Sequence, residues 1–370
     1  MIEASGPASL LQAISDDELM KGLPEQPHPL PAEEGVFLLQ PVSERRRTLE
    51  EIDVRKRLAG SRVGRTALLK VEGEFNEKHD GVLFHQLIGL ELSGQRFAAW
   101  ITEPATGNDT PVNLVRFPGL GEDIEGDVGY AHHTHLAKEF PGARTITIAN
   151  NGMGRFRHRN TGDNSMFGIS RMAQERYELT AALVGEEPIV GVATSMGSVI
   201  LNELAVLNIE DLQRLQIAGN CYYAPAHVAP GRTLVDMAVK FIPYIGVDGV
   251  KEFLKTPPEQ KVDFLKTLLE AARHTKANLG ALATQAAHLL DGSVVAKIEK
   301  AVAHYPTAVI AGTRDPVGQL KMWHKLAAKH PKLSIHEVAG RGHAMTLKPE
   351  RAVPKIGKVV RGMGIITAGL

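Results

Sequence analysis

The chain predicts an α/β protein with a mostly parallel central sheet and helices on both faces. Three observations carry that reading. Short apolar, β-branched runs alternate with helix-patterned segments from residue 112 onward, the signature of βαβ units. A serine stands at the joint between one such run and its helix, and further on an aspartate and then a histidine each follow a later run.

The elements come in this order. Residues 1–60 form an extension that holds Pro24, Pro27, Pro29 and Pro31, followed by a charged stretch over 43–58 that reads as one solvated helix. Arg45, Arg46 and Arg47 fall on its solvated face, and no chemistry is legible there. Strands begin from Thr66, with a hairpin pairing 87–92 and 96–102 across Ser93, Gly94 and Gln95. Then come a strand at 112–117, a helix at 130–140, a strand at 145–149, a helix at 166–184, a strand at 188–194 with its helix, and a strand at 215–223.

The next strand is not expected until 307–312, followed by another at 333–338. The roughly eighty residues between 223 and 307 are helix-rich, and an insert that long between neighbouring core strands is expected to be a cap over a site. Its apolar residues, among them Met237, Phe241, Phe253 and Phe264, either pack the cap onto the core or line an acyl pocket. The expected division is an extension at 1–60, a core at 61–226, a helical cap at 227–304 and the rest of the core at 305–370.

The serine joint is the most informative motif. The run Pro188-Ile189-Val190-Gly191-Val192-Ala193-Thr194 leads directly into Ser195-Met196-Gly197-Ser198-Val199. Small residues two positions before and after Ser195 suit a tight strand-to-helix turn that holds the hydroxyl in strained geometry. The helix that follows offers unpaired backbone N–H groups to a developing negative charge. The acid lies in Gly312-Thr313-Arg314-Asp315-Pro316-Val317 and the histidine in Gly340-Arg341-Gly342-His343. The chain order Ser, Asp, His lets all three converge at the carboxyl edge of a parallel sheet, where open α/β folds place their sites.

On these residues, together with Leu347-Lys348-Pro349-Glu350 after the histidine, the sequence resembles the α/β-hydrolase family from about Leu87 to the C-terminus apart from the insert. The resemblance implies Ser195 as nucleophile, His343 as general base and then acid, and Asp315 as the residue that orients His343. Ala193 departs from the usual glycine, a variant known in some lipases of the family, and Ser198 stands where a glycine is frequent. Two other acids compete with Asp315. Glu337 would have to reach back around its own strand and Asp291 belongs to the cap, so geometry favours Asp315. Val112 to Phe117 leads into Pro118-Gly119-Leu120-Gly121, where the family usually has an oxyanion-hole loop, and by that resemblance the donors are the backbone N–H groups of Leu120 and Met196.

The reaction class that follows is hydrolysis of a carboxylic ester or thioester, on a small-molecule acyl substrate, through an acyl-enzyme. A serine in place of a carboxylate at the elbow argues against dehalogenase or epoxide-hydrolase chemistry. Alternatives are a C–C bond hydrolase or acyltransferase on the same residues, or a non-catalytic protein of this fold that binds through its N-terminal extension.

Composition bounds the rest. The chain has 370 residues, 43% of them hydrophobic, with 42 basic and 42 acidic side chains and a formal net charge of zero. That balance offers no general attraction to nucleic acid or anionic lipid. A single cysteine, Cys221, permits no internal disulfide and suits a reducing, cytoplasmic setting. The first 22 residues have neither a basic segment nor a long apolar run, so no secretory signal or membrane span is expected. No cofactor is implied, and the oligomeric state is not legible. His132, His133 and His135 cluster, without the carboxylate or cysteine spacing of a metal set. Gly152-Met153-Gly154 lacks the third glycine of a dinucleotide loop, and Arg155, Arg157, His158 and Arg159 instead suggest a charged rim.

Overall fold

The middle strands of the sheet are buried nearly throughout, both of their faces being covered, and this fixes the architecture. The computed structural model describes residues 69–79 (backbone only), 83–92, 95–104, 112–119, 122–150, 168–210, 215–226, 293–318 and 320–365, with isolated positions between 250 and 261. The extension, the Ser93-Gly94 turn, Leu120, Gly121, the Gly152 to Arg159 loop, Asp291 and nearly all of the expected cap lie outside the described residues.

Among the described residues, nine strands form one sheet: β1 (Leu69–His79), β2 (Phe84–Leu92), β3 (Gln95–Thr102), β4 (Asn113–Phe117), β5 (Arg144–Ile148), β6 (Ile189–Thr194), β7 (Ile217–Tyr223), β8 (Thr307–Gly312) and β9 (Leu333–Val338). Their spatial order is β1-β2-β3-β5-β4-β6-β7-β8-β9. The expected hairpin is present, with β2 and β3 antiparallel and Leu87 opposite Trp100. From β5 to β9 every pairing is parallel.

Among the described residues six α-helices cover the two faces: α1 (Asp127–Glu139), α2 (Ile169–Val184), α3 (Gly197–Glu210), α4 (Ser293–His304), α5 (Leu320–Ala327) and α6 (Pro349–Gly362). Residues Leu136 and Phe140 at α1 and Val353, Ile356 and Val360 of α6 bury one face, against Leu114, Val190 and Ile310. On the other face Met172 and Tyr177 of α2, Leu201 and Leu204 of α3, Ile298 of α4 and Trp323 of α5 pack against Val115, Ala193 and Val309. Each side chain removed from water in this way contributes about 1.5–3 kcal/mol.

Helix α4 falls within the stretch expected as the cap, 227–304. Helix α4 presents Val294, Ile298, Ala301 and Val302 to the core at helical spacing. It is also tied to α3 by Lys297 on Glu203 at 2.6 Å and Lys300 on Glu210 at 2.8 Å. It therefore belongs to the core layer, and any cap ends before it.

The chain leaves β4 towards β5 on one side and returns to β6 on the other. This reversal of strand order is the switch point, where open α/β sheets hold ligands in the crevice beyond the carboxyl ends of the strands.

Candidate active site

Ser195 follows β6 directly and adopts φ +51°, one of two non-glycine residues with positive φ among the described residues. An L-residue held there is strained by roughly 1–2 kcal/mol. The turn is fixed from three sides: Ser195 N donates to Tyr223 O at 3.1 Å, Ala226 N donates to Ser195 O at 3.1 Å, and Ser198 N reaches the same oxygen at 3.0 Å. Ser198 adds its hydroxyl at 2.6 Å, so the residue that replaces the frequent glycine braces the turn. Gly197 is required by close approach, since a Cβ there would lie 2.1 Å from the carbonyl oxygen of Phe117.

Ser195 Oγ lies 2.8 Å from His343 Nε2, and His343 Nδ1 lies 2.8 Å from Asp315 Oδ2. A carboxylate oxygen can only accept, so Nδ1 carries the proton and Nε2 is left to accept from the serine hydroxyl. His343 and Asp315 are buried, at 5% and 7% exposure, whereas Ser195 is half-buried at the crevice. The histidine opens a short 3₁₀ turn, His343–Leu347, after Gly342. Asp315 Oδ1 accepts from Val317 N at 2.9 Å and Gly318 N at 3.3 Å, which locks the carboxylate. Glu337 is on β9, about half exposed, and engages His324 at 2.9 Å on the surface. The structure thus brings Ser195, His343 and Asp315 together and leaves Glu337 elsewhere.

Of the two expected oxyanion donors, Met196 occupies the turn just before α3, next to that helix's N-terminal N–H groups. Leu120 lies outside the described residues, but its neighbour Gly119 passes over the serine: a Cβ on Gly119 would be 3.4 Å from Ser195 Cβ.

Three residues at the site carry no motif in the sequence. Asn150, just past β5, donates Nδ2 to Gly119 O at 2.9 Å and to Pro118 O at 3.2 Å. Glu122 accepts from Gly119 N at 2.9 Å and forms an ion pair with buried Arg116 of β4. Burial raises the Glu122 carboxyl, but Arg116, His132 and the hydrogen bonds from Arg116 and Gly119 together leave it below its ordinary value. The signals are positional only: Glu122 is three residues beyond Gly119, and Asn150 lies two residues past the end of β5, the strand next to β4.

His132 donates Nε2 to Thr346 O at 2.9 Å, in the turn that carries His343. Its neighbour His133 is packed between Thr102 at 2.8 Å and Thr147 at 3.0 Å. Both imidazoles are buried in hydrogen bonds to the protein itself.

The chain belongs to the alpha/beta hydrolase family, whose sequence model matches residues 92–355. No curated protein sequence matches it significantly. Among solved structures it is similar to a thioesterase domain from the curacin biosynthetic pathway, at 12% identity over 75% of this chain and 99% of that one, with a TM-score of 0.51. It is also similar to an N-acyl homoserine lactone degrading enzyme, at 18% identity over 74% of this chain and 99% of the other (TM-score 0.51). A hydrolase from Oleispira antarctica aligns at 13% identity over 72% of this chain and 94% of its own, with a TM-score of 0.52. At these identities the likeness speaks for the fold alone, while membership of the family supports a hydrolase. Among the described residues no helix is long and apolar enough to cross a membrane.

Proposed function

We propose that this chain is a serine hydrolase that cleaves carboxylic esters or thioesters through an acyl-enzyme. The observation that carries the reading is the hydrogen-bonded series Ser195, His343 and Asp315, with the serine strained at the carboxyl end of β6. Ser195 Oγ attacks the acyl carbonyl as its proton passes to His343 Nε2. His343 then gives that proton to the leaving alcohol or thiol, and the acyl group stays on Ser195. Water repeats the sequence to release the acid and restore the serine. Asp315 holds the imidazole in its Nδ1–H form and stabilises the imidazolium. The backbone N–H groups of Leu120 and Met196 are assigned to the oxyanion of each tetrahedral intermediate.

The insert, shortened to residues 227–292, is assigned as a cap that sets acyl preference, and no cofactor is needed. A cytoplasmic location is part of the proposal and rests on the sequence, whose single cysteine, Cys221, leaves no internal disulfide to form.

Treatment with a fluorophosphonate probe tests the reading. Intact-mass analysis is expected to give one adduct on the parent protein and none on Ser195→Ala, with turnover of acyl esters lost and folding retained. An adduct on Ser198, or undiminished labelling of the alanine variant, would remove Ser195 from its role. A folded parent that neither labels nor turns over esters of any chain length would make the chain a binding protein.

A further inference from the structure

We infer that Asn150 and Glu122 are positioning residues that clamp the Gly119 segment above Ser195 and so tune the reaction without touching substrate. The inference rests on the serine-hydrolase reading and concerns a different set of side chains.

Gly119 is gripped through both of its backbone polar groups. Its N–H donates to Glu122 Oε2 at 2.9 Å. Its carbonyl accepts from Asn150 Nδ2 at 2.9 Å, and the same nitrogen reaches Pro118 O at 3.2 Å. Both partners of that nitrogen are carbonyl oxygens, so the orientation of the Asn150 amide is fixed by its surroundings. Asn150 is itself 3% exposed. Neither contact is needed to form the sheet, since β4 has ended at Phe117 and β5 at Ile148.

What the two contacts fix is the plane of the peptide that follows Pro118 and the one that follows Gly119. A peptide unit is rigid and its C=O and N–H point in opposite directions. Tethering the Gly119 carbonyl to Asn150 and its N–H to Glu122 therefore holds this segment in one orientation above Ser195. Glu122 in turn is held by Arg116, whose side chain is 2% exposed, so the clamp is anchored on the middle of the sheet. A donor array for a developing oxyanion acts through preorganisation, and a loop free to rotate its peptides loses that advantage only in the transition state.

The test compares steady-state kinetics of Asn150→Ala and Glu122→Gln with the parent on p-nitrophenyl butyrate, alongside fluorophosphonate labelling and thermal melting. Asn150→Ala is expected to lower kcat by about tenfold or more, less than the 10²–10³ of losing an oxyanion donor outright, while KM changes by under about threefold. Glu122→Gln keeps an oxygen for the Gly119 N–H and is expected to retain more activity than Asn150→Ala. A purely structural role would lower the melting temperature and leave kcat per folded molecule unchanged. That outcome, or kcat within about threefold of the parent in Asn150→Ala, would overturn the inference. Failure of the underlying reading is separate: the parent itself would not label at Ser195.

Discussion

Asp315 divides its two oxygens between backbone and imidazole. Oδ1 is spent on the N–H groups of Val317 and Gly318, and Oδ2 faces His343 Nδ1, so the carboxylate cannot rotate away from the ring. In Asp315→Asn the amide would present an N–H to Nδ1 and favour the other tautomer. The fold is expected to survive while kcat falls roughly 10³- to 10⁴-fold, about 4 to 5.5 kcal/mol. Glu337→Gln is the matched control, because that carboxylate is spent on a surface contact to His324, worth about 0–1 kcal/mol. Its kcat is expected to stay within about twofold. A small loss in the first variant with a large one in the second would move the orienting role to Glu337.

At the scale of elements, the β6–α3 turn concentrates strain where chemistry is proposed. Ser195 sits at φ +51°, a conformation that costs an L-residue more than it costs glycine. In ordinary helix or strand interiors glycine is less stable than alanine by roughly 0.5–1 kcal/mol, through the freedom it loses on folding. Here the sign is expected to reverse. Ser195→Gly and Ser195→Ala both lack the hydroxyl and differ only in Cβ, so urea denaturation should find the glycine variant more stable by about 1 kcal/mol. A less stable glycine variant would mean the turn is relaxed. Much of this layout was legible beforehand: β8 is buried on both faces and reads as an unbroken apolar run, β9 at the sheet edge alternates, and the expected limits of both coincide with those observed. Helix starts were less legible. Helix α1 begins at Asp127, three residues before its expected start, behind Gly126 with no side-chain cap. Its Gly129 looks like a breaker in sequence, yet a Cβ there would lie 2.1 Å from Asp123 O, so packing demands it. Asn150 and Glu122 were invisible because their roles are contacts between loops, which no local pattern encodes.

For the whole molecule, the buried histidines of α1 couple stability to pH. Burial first, and then the Arg116 guanidinium, hold His132 down at about 4, against the pull of Glu122 and the hydrogen bond to Thr346. Burial likewise keeps His133 well below its ordinary value, helped by His85 and Arg116. An unfolded histidine takes up its proton near 6.5. Between that value and about 4 the unfolded chain therefore binds more protons at this position than the folded one, and stability must fall as pH falls. The contribution of His132 is present in full above about pH 6.5. It is lost through the window below by up to about 1.4 kcal/mol per pH unit, the loss summing to about 3 kcal/mol near pH 4 and then levelling off. Against a typical total of about 5–15 kcal/mol that is a large fraction. Urea denaturation of the parent and of His132→Gln at pH 7.5, 6 and 5 measures the effect. Glutamine can still donate to Thr346 but does not titrate, so its stability should fall less steeply with acid than the parent's. Identical slopes would mean that the proton is taken up elsewhere.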